Sequence, residues 1–233
     1  MLLLKFCRKE ICLLKAKHIL KMEKNKVIEM IKILKKAYPD AKCSLDFSST
    51  FELLIAVMLS AQCTDERVNK TTPSIFCKYN KPIDFANIEI TELEKLIHPC
   101  GFYKTKAKNI KATSKILVEN FNSQVPNTIE ELMKLPGVGR KTANVVMLEG
   151  FHLPQGIAVD THAKRLSNRL GLSKNTDPSK IEQDLLNIFP KEYYEDINHL
   201  FIWHGRNICG SRKANCLDCP IKNFCEYYKK NCT

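Results

Sequence analysis

Leu135-Pro136-Gly137-Val138-Gly139-Arg140-Lys141-Thr142-Ala143-Asn144-Val145-Val146 is the stretch that decides the fold. An apolar helical segment bearing Ile129, Leu132, Met133 and Leu135 stops at Pro136, and a second helix restarts at Arg140. Two glycines with one residue between them permit a sharp turn and expose successive backbone N–H groups at a helix N-terminus, which makes an anion site. A phosphate diester suits it, because a Cβ at Gly137 or Gly139 would block approach to the bare backbone. Lys141 stands in the first turn of the new helix beside that site, with Ala143, Val145, Val146 and Leu148 as its apolar anchor. Asp160, in Val159-Asp160-Thr161-His162, opens another helix-like segment that runs to Leu170. A Gly-x-Gly turn alone is as consistent with an ordinary interhelical loop.

A second signature is independent of the first. Cys209, Cys216, Cys219 and Cys225 form C-x6-C-x2-C-x5-C near the C-terminus. Four soft thiolates in so compact and polar a stretch suit a tetrahedral zinc or an iron–sulfur cluster better than inert buried thiols. The paired C-x2-C layout of a zinc ribbon is absent, and so is ferredoxin spacing.

The chain of 233 residues carries a net charge of +12, whose sign points to a polyanionic partner. Lys104, Lys106, Lys108, Lys111 and Lys115 occur with no acid among them over residues 101–115, as either a binding stripe or a solvated helix face. Arg212 and Lys213 lie between the first two clustered cysteines, within reach of a phosphate. The other seven cysteines (7, 12, 43, 63, 77, 100 and 232) sit mostly in apolar or mixed surroundings typical of reduced thiols, so a reducing compartment is expected. No apolar run approaches membrane-spanning length; Leu53 to Ala61 is bounded by Glu52 and Gln62.

Residues 1–21 form a basic extension in which Lys5, Arg8 and Lys9 interrupt any signal-peptide core. It reads as a targeting arm or as an untranslated upstream stretch. The second reading is favoured, with Met22 as the start of a helix patterned by Val27, Ile28, Ile31 and Leu34. The remainder reads as helices: Phe51–Ala61, one opened by Thr64 or Asp65 as cap, Ile88–Ile97, Lys106–Asn120, Thr128–Leu135, Arg140–Leu148, His162–Leu170 and Ser179–Ile188. Pro126, Pro136, Pro154, Pro178 and Pro190 fall at their edges, and no alternating strand is evident. The fold class is all-α.

LPGVGRKTANVV resembles the helix–hairpin–helix of the endonuclease III family of DNA glycosylases, and VDTH resembles its catalytic aspartate segment. The 6-2-5 cysteine spacing is similar to that family's 4Fe–4S loop, with Cys209, Cys216, Cys219 and Cys225 as ligands. The resemblance spans about residues 22–225. It implies a helical barrel domain over 43–154 and a discontinuous cluster domain of 22–42 plus 155–233. A DNA cleft would lie between them, with Lys141 and Asp160 facing each other at its mouth. LSAQCTD resembles the segment whose glutamine, here Gln62, enters the duplex, though a polar residue ending a helix explains it equally well. The second wedge position corresponds to Phe102, where the family commonly carries leucine. Gly137, Gly139, Arg140 and Lys213 complete the expected DNA contacts, while Asp65 is left as a helix cap.

The implied activity is base excision repair: removal of oxidised pyrimidines from duplex DNA, then strand cleavage at the abasic site by β-elimination through a Lys141 Schiff base. The expected partner is double-stranded DNA with damaged bases or abasic sites. The chain is expected to be a monomer, without a membrane, and cytoplasmic and nucleoid-associated if bacterial. An organelle or nucleus is the alternative if residues 1–21 are a targeting segment. Related adenine and mismatch-thymine glycosylases rank lower because they lack the lysine. The alternative of another class is a non-catalytic DNA-binding module with a structural metal cluster.

Overall fold

The computed structural model describes residues 24–232; the basic extension expected over residues 1–21 lies outside them. Among the described residues every regular element is helical, apart from an isolated bridge between Cys209 and Ala214. They fall into two compact units, one from Lys42 to Ala158, the other combining the chain up to Ala41 with the chain from Val159 onward.

The central helix of the Lys42–Ala158 unit is α2 (Thr50–Ser60), in which Phe51 through Leu59 are all buried. A helix apolar on every face has no solvent side and belongs in the middle of a bundle. Each of Leu53, Leu54, Ile55 and Leu59 is fully enclosed, worth about 1.5–3 kcal/mol per side chain relative to exposure. Ser49 caps the helix by accepting from the Glu52 N–H at 3.1 Å, while Glu52 accepts from the Ser48 N–H at 2.7 Å. Around α2 pack α3 (Asp65–Phe76), α4 (Pro82–Asn87), α5 (Ile90–Ile97), α6 (Tyr103–Asn120), α7 (Ile129–Leu132) and α8 (Arg140–Phe151). Thr64, not Asp65, is the cap of α3, and Asp65 instead accepts from the Ser44 hydroxyl at 2.6 Å. The helix predicted over Thr128–Leu135 shortens to α7, because the chain leaves it through successive turns that lead into Pro136 and Gly137.

In the other unit, residues 24–37 form α1, joined by α9 (Thr161–Leu170), α10 (Pro178–Ile188), α11 (Tyr194–Asn207) and α12 (Glu226–Asn231). Helices α9 and α11 pack face to face, and Arg165 of α9 donates to the Gly205 carbonyl at 2.9 Å. Lys35 of α1 pairs with Asp196 of α11 at 2.8 Å, and the Tyr38 hydroxyl meets Nδ1 of His204 at 2.9 Å. The pattern reading assigns no helix to α4, α11 or α12. In α11 the signal is present, since the buried Ile197, Leu200, Phe201 and His204 fall at the i, i+3, i+4, i+7 spacing of one helical face.

Candidate nucleic-acid interface and catalytic residues

The turn between α7 and α8 assigns the two glycines different duties. Gly137 has φ +78°, and a Cβ there would meet Nδ2 of Asn109 at 2.8 Å. Fold geometry therefore demands glycine at this position. Gly139, at φ −90° and ψ 175°, is the N-cap of α8 in ordinary extended backbone, and a Cβ built on it meets nothing within 4 Å. None of the described residues occupies the space above Gly139. It lies open at an exposed helix N-terminus with no side-chain cap, which is what an incoming anion requires. Arg140 and Lys141 follow in the first turn, Lys141 exposed and Arg140 half-buried. Beneath the turn the Thr113 hydroxyl of α6 donates to the Pro136 carbonyl at 2.9 Å, so α6 grips the hairpin through Asn109 and Thr113.

Asp160 is the N-cap of α9: its Oδ1 accepts from the Ala163 N–H at 2.7 Å. Capping uses one carboxylate oxygen and fixes the side chain's rotamer, so the two roles weighed in the sequence do not exclude each other.

The two wedge candidates share a backbone peculiarity. Gln62 (φ +52°) and Phe102 (φ +47°) are both in the left-handed region, where a non-glycine residue costs about 1–2 kcal/mol. Gln62 is exposed, and Phe102 leaves 67% of its surface in solvent. Of the lysine run beside Phe102, Lys106 is buried and donates to the Leu59 and Cys100 carbonyls at 2.8 Å each, while Lys111 donates to the Ile88 carbonyl. Only Lys104, Lys108 and Lys115 of the five are exposed, and their spacing sets them on one face of α6.

Cys209, Cys216, Cys219 and Cys225 line a single small cavity of about 20 Å³ together with Leu166, Leu170 and Ile221. Burial pushes the Cys219 thiol up to about 11, and the neighbouring Cys225, Cys209 and Cys216 add to the shift, as expected of thiols crowded around one space. Among the described residues no three histidine, cysteine or acidic side chains converge tightly enough to hold one metal ion. Four thiols on one loop form a donor set that suits soft metals, whether a single zinc or an iron–sulfur cluster. Arg169 brings a positive charge up to the thiols. Its Nη1 donates to the Cys209 sulfur at 3.2 Å and to the Gly210 carbonyl at 2.8 Å, and its guanidinium lies 4.8 Å from the Tyr227 ring centroid. Arg165 donates to the Cys209 carbonyl at 2.8 Å. Burial lowers the His204 imidazole to about 4; it is therefore neutral at physiological pH, with Nε2 3.4 Å from the Cys219 sulfur. Lys213 is exposed in the loop between the first two cysteines.

Residues 55–191 match the family described as HhH-GPD superfamily base excision DNA repair protein. Endonuclease III of Synechocystis is 48% identical over 203 residues, spanning 87% of this chain and 93% of the relative. The chain belongs to the endonuclease III family. The Escherichia coli endonuclease III is 42% identical, with 90% of this chain and 99% of that one aligned. A structure of a trapped endonuclease III–DNA covalent intermediate superposes with a TM-score of 0.85 at 43% identity, covering 90% of this chain and 99% of that one. A thermostable thymine-DNA glycosylase, at 22% identity and a TM-score of 0.79, shares the fold.

Against this endonuclease III background, the residues that brace the turn and surround the thiols are the ones the sequence does not single out. Asn109 and Thr113 carry no local signal beyond being polar residues on the inner face of a helix. Arg165 and Arg169 were findable, since two arginines at i, i+4 in the segment following Asp160 repeat along one face of α9.

Proposed function

We propose that this chain is a bifunctional DNA glycosylase and abasic-site lyase of base excision repair, acting on oxidised pyrimidines in duplex DNA with Lys141 as nucleophile and Asp160 as supporting carboxylate. The observation that carries the reading is the exposed Lys141, one residue past Arg140 in the first turn of a helix whose N-terminus at Gly139 is open to a phosphate.

Phosphate binding at the Gly137–Gly139 turn and Arg140 sets the register of the backbone. The damaged nucleotide leaves the stack, at a cost of a few kcal/mol that a weakly paired lesion reduces. Gln62 and Phe102 fill the gap, and their left-handed turns already present them outward. The neutral Lys141 amine attacks C1′, and the base departs with the glycosidic electron pair and takes up a proton. Positive charge building on the sugar is stabilised by the Asp160 carboxylate, whose cap bond to Ala163 holds it in one rotamer. Opening of the sugar ring gives an iminium that acidifies the C2′ proton. Loss of that proton breaks the C3′–O bond and releases the phosphate, and water then frees the lysine.

Cys209, Cys216, Cys219 and Cys225 would hold a 4Fe–4S cluster, with Arg169 balancing its charge. When bound, the cluster would cross-link the loop bearing Lys213 and so present that side chain to a phosphate. We further propose a cytoplasmic, nucleoid-associated monomer, on the ground that the relatives named above are bacterial and the substrate is chromosomal. No helix among the described residues is long and apolar enough to cross a membrane.

Borohydride reduction in the presence of abasic-site duplex is expected to leave the protein covalently attached to DNA, and Lys141→Gln to abolish the adduct. A mutant that traps as well as its parent removes Lys141 from the mechanism. If the parent binds duplex but never traps, the non-catalytic DNA-binding alternative stands. For the cluster, iron by elemental analysis and an absorbance band near ~400 nm are expected; stoichiometric zinc refutes it.

A further inference from the structure

Lys106 is a buried charged side chain that the mechanism above does not use. Lysine is seldom enclosed without partners, because its ammonium gives up its hydration. Here the partners are two backbone carbonyls, those of Leu59 and Cys100, each accepting from Nζ at 2.8 Å. Leu59 is among the last four residues of α2, whose carbonyls have no donor within the helix and lie at its negative end. In the same turn the Val57 carbonyl accepts from the Ser60 hydroxyl at 2.9 Å and the Ser60 carbonyl from the Cys63 N–H at 3.0 Å. Cys100 closes the short 3-10 turn His98–Cys100. Gln62 comes three residues after Leu59 and Phe102 two residues after Cys100, so one ammonium holds the approach to both left-handed residues. The Lys106 N–H also donates to the Phe102 carbonyl at 3.1 Å as α6 begins.

The same face of α6 reaches the phosphate turn, since Lys106, Asn109 and Thr113 recur at the i, i+3, i+7 spacing. The Asn109 side chain fills the space a Cβ on Gly137 would take, and the Thr113 hydroxyl donates to the Pro136 carbonyl at 2.9 Å. Seven residues of helix, about 10 Å, separate the tie on the wedge loops from the tie on the hairpin. We propose that Lys106 is a positioning residue for nucleotide extrusion: it locks the Gln62 and Phe102 loops to each other and, through α6, in register with the Gly137–Gly139 turn. Both side chains then enter the duplex together while the phosphate is held. Lys106 has this role only if Gln62 and Phe102 are the wedge, as assigned above.

Lys106 touches no reacting atom, so its loss should be felt only where a paired nucleotide must leave the stack. Extrusion from a duplex costs free energy, and an unpaired strand has met that cost already. Without the ammonium the two loops lose their shared anchor, and Gln62 and Phe102 shift independently. Misplacement by about 1 Å is enough to cost about 100-fold in rate. A lysine that served stability alone would instead lower the amount of folded protein, which reduces the rate on every substrate equally.

Single-turnover borohydride trapping by the full-length protein, on an abasic duplex and on the same strand unpaired, tests this role. Lys106→Met should trap the duplex about 10- to 100-fold more slowly than the parent, while its rate on the single strand stays near the parent's. Lys106→Gln keeps an N–H donor on a shorter side chain and should recover part of the duplex rate; it carries the comparison if the methionine variant fails to fold. In a protein already bearing Gln62→Ala and Phe102→Ala, Lys106→Met should cost the duplex rate nothing more. Emission from 2-aminopurine placed opposite the abasic site should rise when the parent binds and much less when Lys106→Met binds, which reads wedge insertion without chemistry. Equal losses on duplex and single strand, or losses that multiply with those of the wedge truncations, overturn the positioning role. If truncating both wedge residues leaves duplex trapping unchanged, the wedge assignment fails and the positioning role with it. Should the parent never trap, the lyase reading fails, while the 2-aminopurine signal still decides Lys106.

Discussion

Replacing Asp160 by Asn and by Ala separates a helix cap from a catalytic charge. The structure shows one oxygen of the carboxylate accepting from the Ala163 N–H at 2.7 Å at the first turn of α9. Asparagine caps about as well as aspartate, so Asp160→Asn keeps that bond and loses only the charge at the helix N-terminus, about 0.3–1 kcal/mol. Asp160→Ala loses the bond as well, about 1–2 kcal/mol together with the charge. In a chain of this size each kcal/mol moves Tm by about 2–4 °C, so the alanine variant should melt about 2–8 °C below the parent and the asparagine variant at most about 4 °C below. Activity should not follow that ranking. Both variants lose the charge facing the developing sugar cation, and base release should fall by about 100-fold or more in each. The assay pairs thermal melting with single-turnover release of a damaged base. Near-parental base release by Asp160→Asn refutes the electrostatic role, and an Asp160→Ala protein with unchanged Tm refutes the capping argument.

Two further substitutions test the scaffold. Gly137→Ala places a Cβ in the left-handed region, at about 1–2 kcal/mol, and drives it into Asn109; the total loss should be about 2–3 kcal/mol by urea unfolding. Gly139→Ala, with nothing within 4 Å, should leave stability within about 0.5 kcal/mol while weakening DNA binding; equal stability losses at the two glycines would undo the division of duties. Lys106→Met strips the donor from two carbonyls, at about 1–3 kcal/mol each. Burial lowers the Lys106 pKa, so between that value and the ordinary lysine value the unfolded chain binds more protons and the fold gains stability as pH rises. Lys106→Met should abolish this alkaline gain, and a variant with the parent's pH profile contradicts the assignment.

What could be read without coordinates was local in the chain. Thr64 and Asp160 act on amides three residues ahead, the Gly137–Gly139 turn is set by two adjacent dihedral pairs, and the four cysteines sit on one loop. Such signals survive in one dimension because the partners are neighbours. The lysine run beside Phe102 shows the limit. Five lysines look alike in sequence, yet Lys106 and Lys111 are spent on the carbonyls of Leu59, Cys100 and Ile88, and three stay in solvent.

The sequence by itself determined an all-helical chain, a Gly-x-Gly hairpin with a lysine in the turn that follows, and four thiols on one loop, because each follows from residue type and spacing within a few turns of helix. Only the tertiary structure decided that Gly137 answers to Asn109 while Gly139 meets none of the described residues, and that Arg169 serves Cys209. These are contacts between residues distant in the chain. No periodicity encodes them, since they depend on which faces of which helices the packing of the core brings together.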